Sequence, residues 1–300
     1  MEIVKKRRHI FERRSPGERV LFIIVFIMLF LYMLSLAIPV CWMLYCSLKT
    51  NFQYFDDIMN SIPFALPKWP LQFKNYVDAF TGLTYIDSTF VSMLFNTIWI
   101  TVISTGAGLI IGAMFAYVLS RFNSKFCALV YAIVIFRITI PIGGGGSAGM
   151  ILIIDWGLYD NPLYAIVTSF SGLGLPFFMF YGVFKNLPTE YSEAVYLDGG
   201  GEFTLFFKVM FPFVLPVFAS LAIICSIGSW NNYQFPMMFL PSYPTLASGL
   251  FLGRKDFLRS DGGEPVYYAA IVLASLPMVI MFICFSDIIA ANFTVGGLKG

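Results

Sequence analysis

Residues 187–216 read LPTEYSEAVYLDGGGEFTLFFKVMFPFVLP, a polar and acidic stretch set between two apolar runs. Pro188 suits a first helical turn and Glu190 the positive end of a helix dipole, so a short helix is expected over 189–198. Gly199-Gly200-Gly201 then permits positive φ and a sharp stop. A second short helix starts at about Glu202 and leads through Pro212 into the next apolar run. The stretch is therefore a helix, turn, helix elbow joining two segments that water will not accept.

Working outward, about six runs are long and apolar enough for a bilayer core of about 30 Å, which needs roughly 20 residues of helix with every backbone group satisfied internally. They cover about 20–47, 90–119, 127–154, 163–183, 213–229 and 269–285. The 300 residues are 58% hydrophobic and only 12% charged, with a mean hydropathy of +0.79. A soluble chain carries about 25% charge, so an all-α polytopic membrane protein is the expected fold class. Residues 1–19 form a basic tail and 20–300 the membrane domain. The first run is too long for a signal-peptide core and has no small-residue cleavage site close behind it.

Orientation follows the bases near span ends. Lys5, Lys6, Arg7, Arg8, Arg13, Arg14 and Arg19 place the N-terminus in the cytoplasm; six spans then put Arg121 and Lys125 inside and the C-terminus inside as well. One inner loop breaks the pattern. Between the fourth and fifth runs Glu190, Glu193, Asp198 and Glu202 outnumber Lys185 and Lys208. Interfacial helices that lie on lipid carry Lys and Arg on their polar face, so this loop is expected to face something basic.

Several chemistries are excluded. A net charge of +2 and a dearth of charge argue against a nucleic-acid binder. There is no Gly-Lys dipeptide, hence no phosphate loop for ATP, and any ATP and Mg must sit in a partner. Gly145-Gly146-Ser147-Ala148-Gly149 matches G-x-S-x-G by letter, but no strand precedes it and the single His is His9 in the tail. No catalytic set, metal site or bound cofactor is expected. The five cysteines, with no C-x-x-C, read as small apolar fillers.

Glu193, Ala194, Asp198 and Gly199, followed by Phe206, Pro212 and Pro216, resemble the EAA loop of permease subunits in ATP-binding-cassette (ABC) importers. Val195 and Gly200 depart from the pattern, which usually has Ala at both, and Phe211 stands where Leu is frequent. Asn75-Tyr76, Asn96-Thr97, Trp230-Asn231 and the terminal Gly297-Leu298-Lys299-Gly300 are similar to motifs of the carbohydrate-uptake branch, in particular its smaller, six-span maltose-type subunit. The resemblance implies a type I importer permease fold in a bacterial cytoplasmic membrane. It also implies a second permease subunit, a pair of ATPase subunits, an extracellular solute-binding protein and a sugar or oligosaccharide substrate. In such families the loop, here 187–212, is a coupling helix docked on the ATPase. Glu193, Ala194, Asp198 and Gly199 are the residues expected at that contact.

Two further sites follow. The outer segment 230–267 exceeds ordinary loop length, and by the resemblance Trp230, Tyr233 and Arg259 are expected to meet the binding protein. Arg137 lies about 15 Å into the third run, where a charge costs at least about 2.5 kcal/mol. Pro141 and the glycines 143–146 follow, so that helix is expected to break there, and broken helices line substrate sites. Arg137 and Ser147 are thus candidates for the substrate path; the competing reading is that Arg137 caps the carbonyls of the broken helix. A peptide or amino-acid importer is an alternative. A secondary transporter is less favoured, because it needs paired intramembrane carboxylates.

Overall fold

The computed structural model describes residues 16–140, 145–169, 173–259 and 263–295. Among the described residues, four helices are long and apolar enough to cross a membrane: α1 (Pro16–Ser47), α4 (Phe90–Arg121), α10 (Glu202–Trp230) and α13 (Gly263–Val295). Each spans more than 40 Å at about 1.5 Å per residue. They correspond to the first, second, fifth and sixth expected runs.

The third run is divided, as its proline and glycines led us to expect, and the fourth, expected as one continuous span, is divided too. The third holds α5 (Lys125–Thr139) and α6 (Gly145–Asp155); the fourth holds α7 (Leu163–Ser169) and α8 (Leu175–Asn186). Ile140 is extended, with φ −110° and ψ 97°, as the clash with a following proline ring favours. Ahead of α8, Gly174 takes φ −122° and ψ −144°, and Pro176 starts the helix at the position where its missing N–H costs nothing.

The elbow contains α9 (Glu190–Leu197), and its second arm is not a separate short helix but the beginning of α10. Continuity requires a widened π turn at Leu205–Met210, where the Phe211 N–H reaches the Phe206 carbonyl five residues back. Pro212 is the cause: its ring cannot sit against a carbonyl four residues earlier.

Between α1 and α4 the chain forms elements that hydropathy does not announce: α2 (Asn51–Met59), α3 (Lys74–Gly82) and a hairpin of β1 (Thr84–Tyr85) with β2 (Ser88–Thr89). Lys49 and Asp57 anchor α2 through a 2.8 Å ion pair whose side chains are 1% and 2% exposed. The expected long outer connector is also helical, containing α11 (Gln234–Phe239) and α12 (Leu246–Arg259).

Helix α4 is the hub, packed by α7, α8, α10 and α12. One core, built on Tyr117, Phe177, Phe180, Phe184, Phe206 and Met210, lies beside the elbow. A second, built on Phe90, Met93, Trp230, Leu246 and Ala270, closes the opposite end. Helix α1 leans on α13 at the periphery, with Trp42 edge-on to Tyr268 at 5.4 Å. Its apolar side chains from Val20 to Val40 stay exposed, a surface that only lipid or another membrane helix satisfies.

Candidate functional site: the acidic elbow and the mid-bundle cavity

The four residues expected at a coupling contact come together. Glu193 and Ala194 lie on α9, Asp198 is its C-cap and Gly199 follows, and all four are exposed. Gly199 has φ +77°; its N–H donates to the Tyr196 carbonyl at 3.0 Å, and the Gly200 N–H donates to the Val195 carbonyl at 2.8 Å. This 6→1 and 5→2 pair is a Schellman stop, which needs the left-handed conformation that glycine adopts without steric cost. Leu197, at the end of the helix, is 89% exposed. The elbow thus presents a bare leucine on the same short helix as the exposed Glu190 and Glu193, next to the exposed Asp198.

Glu202 behaves otherwise, although its charge grouped it with the other three acids. Its carboxylate accepts a hydrogen bond from the Tyr117 hydroxyl of α4 at 2.7 Å and another from the Tyr196 hydroxyl of α9. Accepting that second hydroxyl, it holds the Tyr196 phenol above the usual tyrosine range. Glu202 therefore ties the elbow to the hub helix, while Tyr117 packs against Phe184 and Phe206. Neither phenol was identifiable beforehand: Tyr117 stands 85 residues from its partner.

Val195 and Gly200 turn out to be a pair. A Cβ placed on Gly200 would lie 2.6 Å from Val195 Cγ1 and 3.0 Å from the Val195 carbonyl oxygen. The larger side chain at one position fills the space left by the smaller at the other.

Near the middle of α4 lies a cavity of about 480 Å³. Ser104, Thr105, Gly108 and Leu109 of α4 line one side; Arg137 and Ile138 of α5, Thr168 and Ser169 of α7, and Gly174 and Pro176 at the start of α8 line the rest. Arg137 occupies the last turn of α5, next to the carbonyl end of that helix, and also faces the cavity, so its position suits both expected roles. Thr105 is 8% exposed, and its hydroxyl is buried with no hydrogen-bond partner. Ser147 lies in the first turn of α6, but its side chain is outside what the structure describes. The hydroxyls of Ser104, Thr105 and Thr168 were missed, although polar side chains inside apolar runs are themselves a signal.

At the opposite end the expected contact residues separate. Trp230 is only 6% exposed, and its indole N–H donates to the Ala274 carbonyl at 3.0 Å, so it holds α10 to α13. Tyr233 is half-buried, its ring tilted 30° against that of Phe251 with ring centres 4.4 Å apart. Arg259 ends α12, its side chain outside the described residues. The segment is pinned by Asp160, whose carboxylate accepts from the Ser242 N–H at 3.0 Å and its hydroxyl at 2.6 Å. The short motifs have structural work here too. The Asn75 amide donates to the carbonyls of Ser47 (2.7 Å) and Lys49 (2.8 Å), closing the end of α1. The Asn96 amide donates to the Pro244 carbonyl at 3.1 Å, and the Thr97 hydroxyl accepts from the Leu246 N–H at 2.9 Å, locking α12 to α4.

The fold is similar to that of one chain in the crystal structure of a bacterial ABC transporter involved in the import of the acidic polysaccharide alginate. The TM-score is 0.72 at 22% identity, covering 91% of this chain and 98% of that one. Among curated sequences, the diacetylchitobiose uptake system permease protein of Streptomyces coelicolor is 28% identical over 91% of this chain and 87% of its own. The sulfoquinovosyl glycerol transport system permease protein of Agrobacterium fabrum is 26% identical over 87% and 88%. The family profile described as binding-protein-dependent transport system inner membrane component matches residues 108–295, from the middle of α4 to the end of α13, and so takes in the elbow and most of the cavity. With that match over more than half its length, the chain belongs to the binding-protein-dependent transport system inner membrane component family.

Proposed function

We propose that this chain is one of two membrane subunits of an ATP-driven importer that carries a sugar or oligosaccharide released by an extracellular solute-binding protein. The carbohydrate assignment is supported by relatives named for diacetylchitobiose and sulfoquinovosyl glycerol, both glycosidic. The second permease subunit covers the apolar flank left open here. A pair of ATPase subunits on the cytoplasmic side supplies ATP and Mg chemistry, and this chain catalyses nothing itself. Both termini lie in the cytoplasm, as the basic tail favours.

The observation that carries the reading is the elbow, a rigidly stopped helix that offers Leu197 as a knob and three exposed carboxylates on and beside the same short helix. That surface suits a groove with an apolar floor and basic edges, where charge steers docking and the leucine supplies desolvation energy. When ATP draws the two ATPase subunits together, α9 moves with them. Glu202 passes the displacement to α4 through Tyr117, and the helices around the cavity rock between inward-open and outward-open arrangements. Tyr233 and Arg259 belong to the segment nearest the binding protein.

The test is Glu193→Ala in the assembled importer. Membrane insertion and thermal stability should be unchanged, while co-purification of the ATPase or substrate-stimulated turnover falls. A variant that retains a full complement of ATPase and normal stimulated turnover would overturn the coupling assignment.

A further inference from the structure

Helix α2 is amphipathic the wrong way round for water. Its buried residues are Gln53, Tyr54 and Asp57, while Phe52 and Met59 are each 83% exposed and Phe55 is 53% exposed. The inward polar face is satisfied from behind, Asp57 by Lys49 and the Tyr54 hydroxyl by that of Tyr268 on α13 at 3.3 Å. The chain that follows extends the bare apolar surface, with Ile62, Phe64, Leu66 and Trp69 all more than half exposed. A contiguous patch of this kind marks a surface that something covers. We infer that residues 51–69 are a membrane foot, set with this apolar face into the boundary between acyl chains and headgroups of a phospholipid leaflet. Under the proposed orientation it is the outer leaflet, and only that label rests on the importer reading.

Height is the first argument for lipid. Helix α1 carries no charge from Val20 to Ser47, and Arg19 marks its basic end. At about 1.5 Å per residue Trp42 lies about 35 Å along the helix from Arg19, which spans a hydrocarbon core of about 30 Å and reaches the far headgroups. The Trp42 indole N–H donates to the Pro63 carbonyl at 2.8 Å, so the chain after α2 folds back along α1 to that level instead of rising into water. Backbone satisfaction is the second argument, because irregular chain at that depth finds no water to bond. Pro63 and Pro67 have no N–H; the Ile62 and Ala65 N–H groups donate to the carbonyls of Asp57 (2.9 Å) and Ile62 (3.0 Å), and the Leu66 carbonyl accepts from the Gln53 amide at 3.4 Å. Charge is the third. Between Asn51 and Pro67 the only charged residues are Asp56 and Asp57, and Asp57 is neutralised by Lys49, so a soluble protein would find one carboxylate to steer it. Exposed Lys68 and Lys74 flank the exposed Trp69 and Phe73, the mixture of basic and aromatic side chains that suits lipid phosphates and carbonyls.

The experiment places the assembled importer, without its binding protein, in nanodiscs of phosphatidylcholine or of the same lipid brominated on its acyl chains. Subtracting the fluorescence of Trp69→Phe isolates the Trp69 indole. Phe64→Trp in the Trp69→Phe background reads the neighbouring strap independently. Both changes exchange one exposed aromatic ring for another and leave the fold intact. Each indole should emit at shorter wavelength than a tryptophan in water and lose more than half its intensity to lipid brominated near the headgroup. It should lose less to lipid brominated near the chain end and little to aqueous iodide. Quenching by iodide with none by brominated lipid overturns the foot. Protection from both quenchers also overturns it, since the second permease subunit would then cover the face. So does loss of bromine quenching when the binding protein is added, which would make the face a protein-docking surface. A nanodisc exposes both leaflets, and the same measurement can be made on the chain alone. A reversed orientation or a missing ATPase would therefore leave the two depths unchanged, and failure of the foot is read separately from failure of the importer assignment.

Discussion

Gly200→Ala is a one-methyl change whose outcome should depend on a residue five positions away. The added Cβ lies 2.6 Å from Val195 Cγ1, whereas carbon atoms rest about 3.5–4.0 Å apart, so close to 1 Å of overlap must be relieved. Val195 cannot simply swing aside, because it packs against the core around Tyr117, Phe206 and Met210. Overpacking of this kind costs about 1–3 kcal/mol. Gly200 is not among the residues with positive φ, so alanine is compatible with its backbone and offsets about 0.4–1 kcal/mol by restricting the unfolded chain. The net expectation is a loss of roughly 1 kcal/mol confined to the elbow. Adding Val195→Ala removes the overlapping methyl and leaves only the 3.0 Å approach to the Val195 carbonyl, which a shift of a few tenths of an ångström relieves. The double variant should therefore be more stable than the sum of the single changes by on the order of 1 kcal/mol. Amide hydrogen exchange over 187–204 in nanodiscs reads this locally: Gly200→Ala should accelerate exchange about fivefold, and the double variant should return most of the way. If Gly200→Ala leaves exchange unchanged, or Val195→Ala does not reverse its effect, the two positions are not sterically coupled and the reasoning fails.

Tyr117→Phe deletes the hydroxyl that Glu202 holds at 2.7 Å and should cost about 1–2 kcal/mol in thermal unfolding; Glu202→Gln, which removes the charge and keeps one acceptor oxygen for two hydroxyls, should cost at least as much, and a Glu202→Gln variant as stable as the parent would contradict a charge-assisted tie. Lys49→Met strands the buried carboxylate of Asp57 and should destabilise by about 3–5 kcal/mol. The double change Lys49→Met with Asp57→Leu should recover most of that loss, and a single variant as stable as the parent in a denaturation series would count against the buried pair.

Much of the architecture was legible because hydrophobicity acts locally. Val20–Ser47 has no charged residue and forms one helix, and Pro188, Glu190 and the glycines from 199 marked the α9 elbow with nearly its observed bounds. Pro141 also signalled the end of α5, since a proline restricts the residue before it. Other features were hidden for equally physical reasons. The break at Gly174 follows apolar residues and looks continuous to any hydropathy window. Helices α2 and α3 depend on partners outside themselves, the Lys49–Asp57 pair and the bonds from Asn75. Residues 230–267 read as a connector because their apolar faces are interrupted by prolines and glycines. Folded, α12 buries Leu246, Leu250 and Phe257 against α4 and α13.

Sequence alone determined that this chain lives in a bilayer and which loop is wrongly charged for lipid. Those properties are sums over neighbouring residues, and transfer free energy adds along the chain. What Glu202, Arg137 and Trp230 each do was decided only by tertiary structure. One acid of four turns inward to a tyrosine 85 residues away, an arginine inside an apolar run meets a cavity lined from five helices, and a tryptophan expected at the surface is buried between α10 and α13. A polar group in a low-dielectric interior is defined by the partner it finds, and that partner comes from packing between helices rather than from the residues beside it.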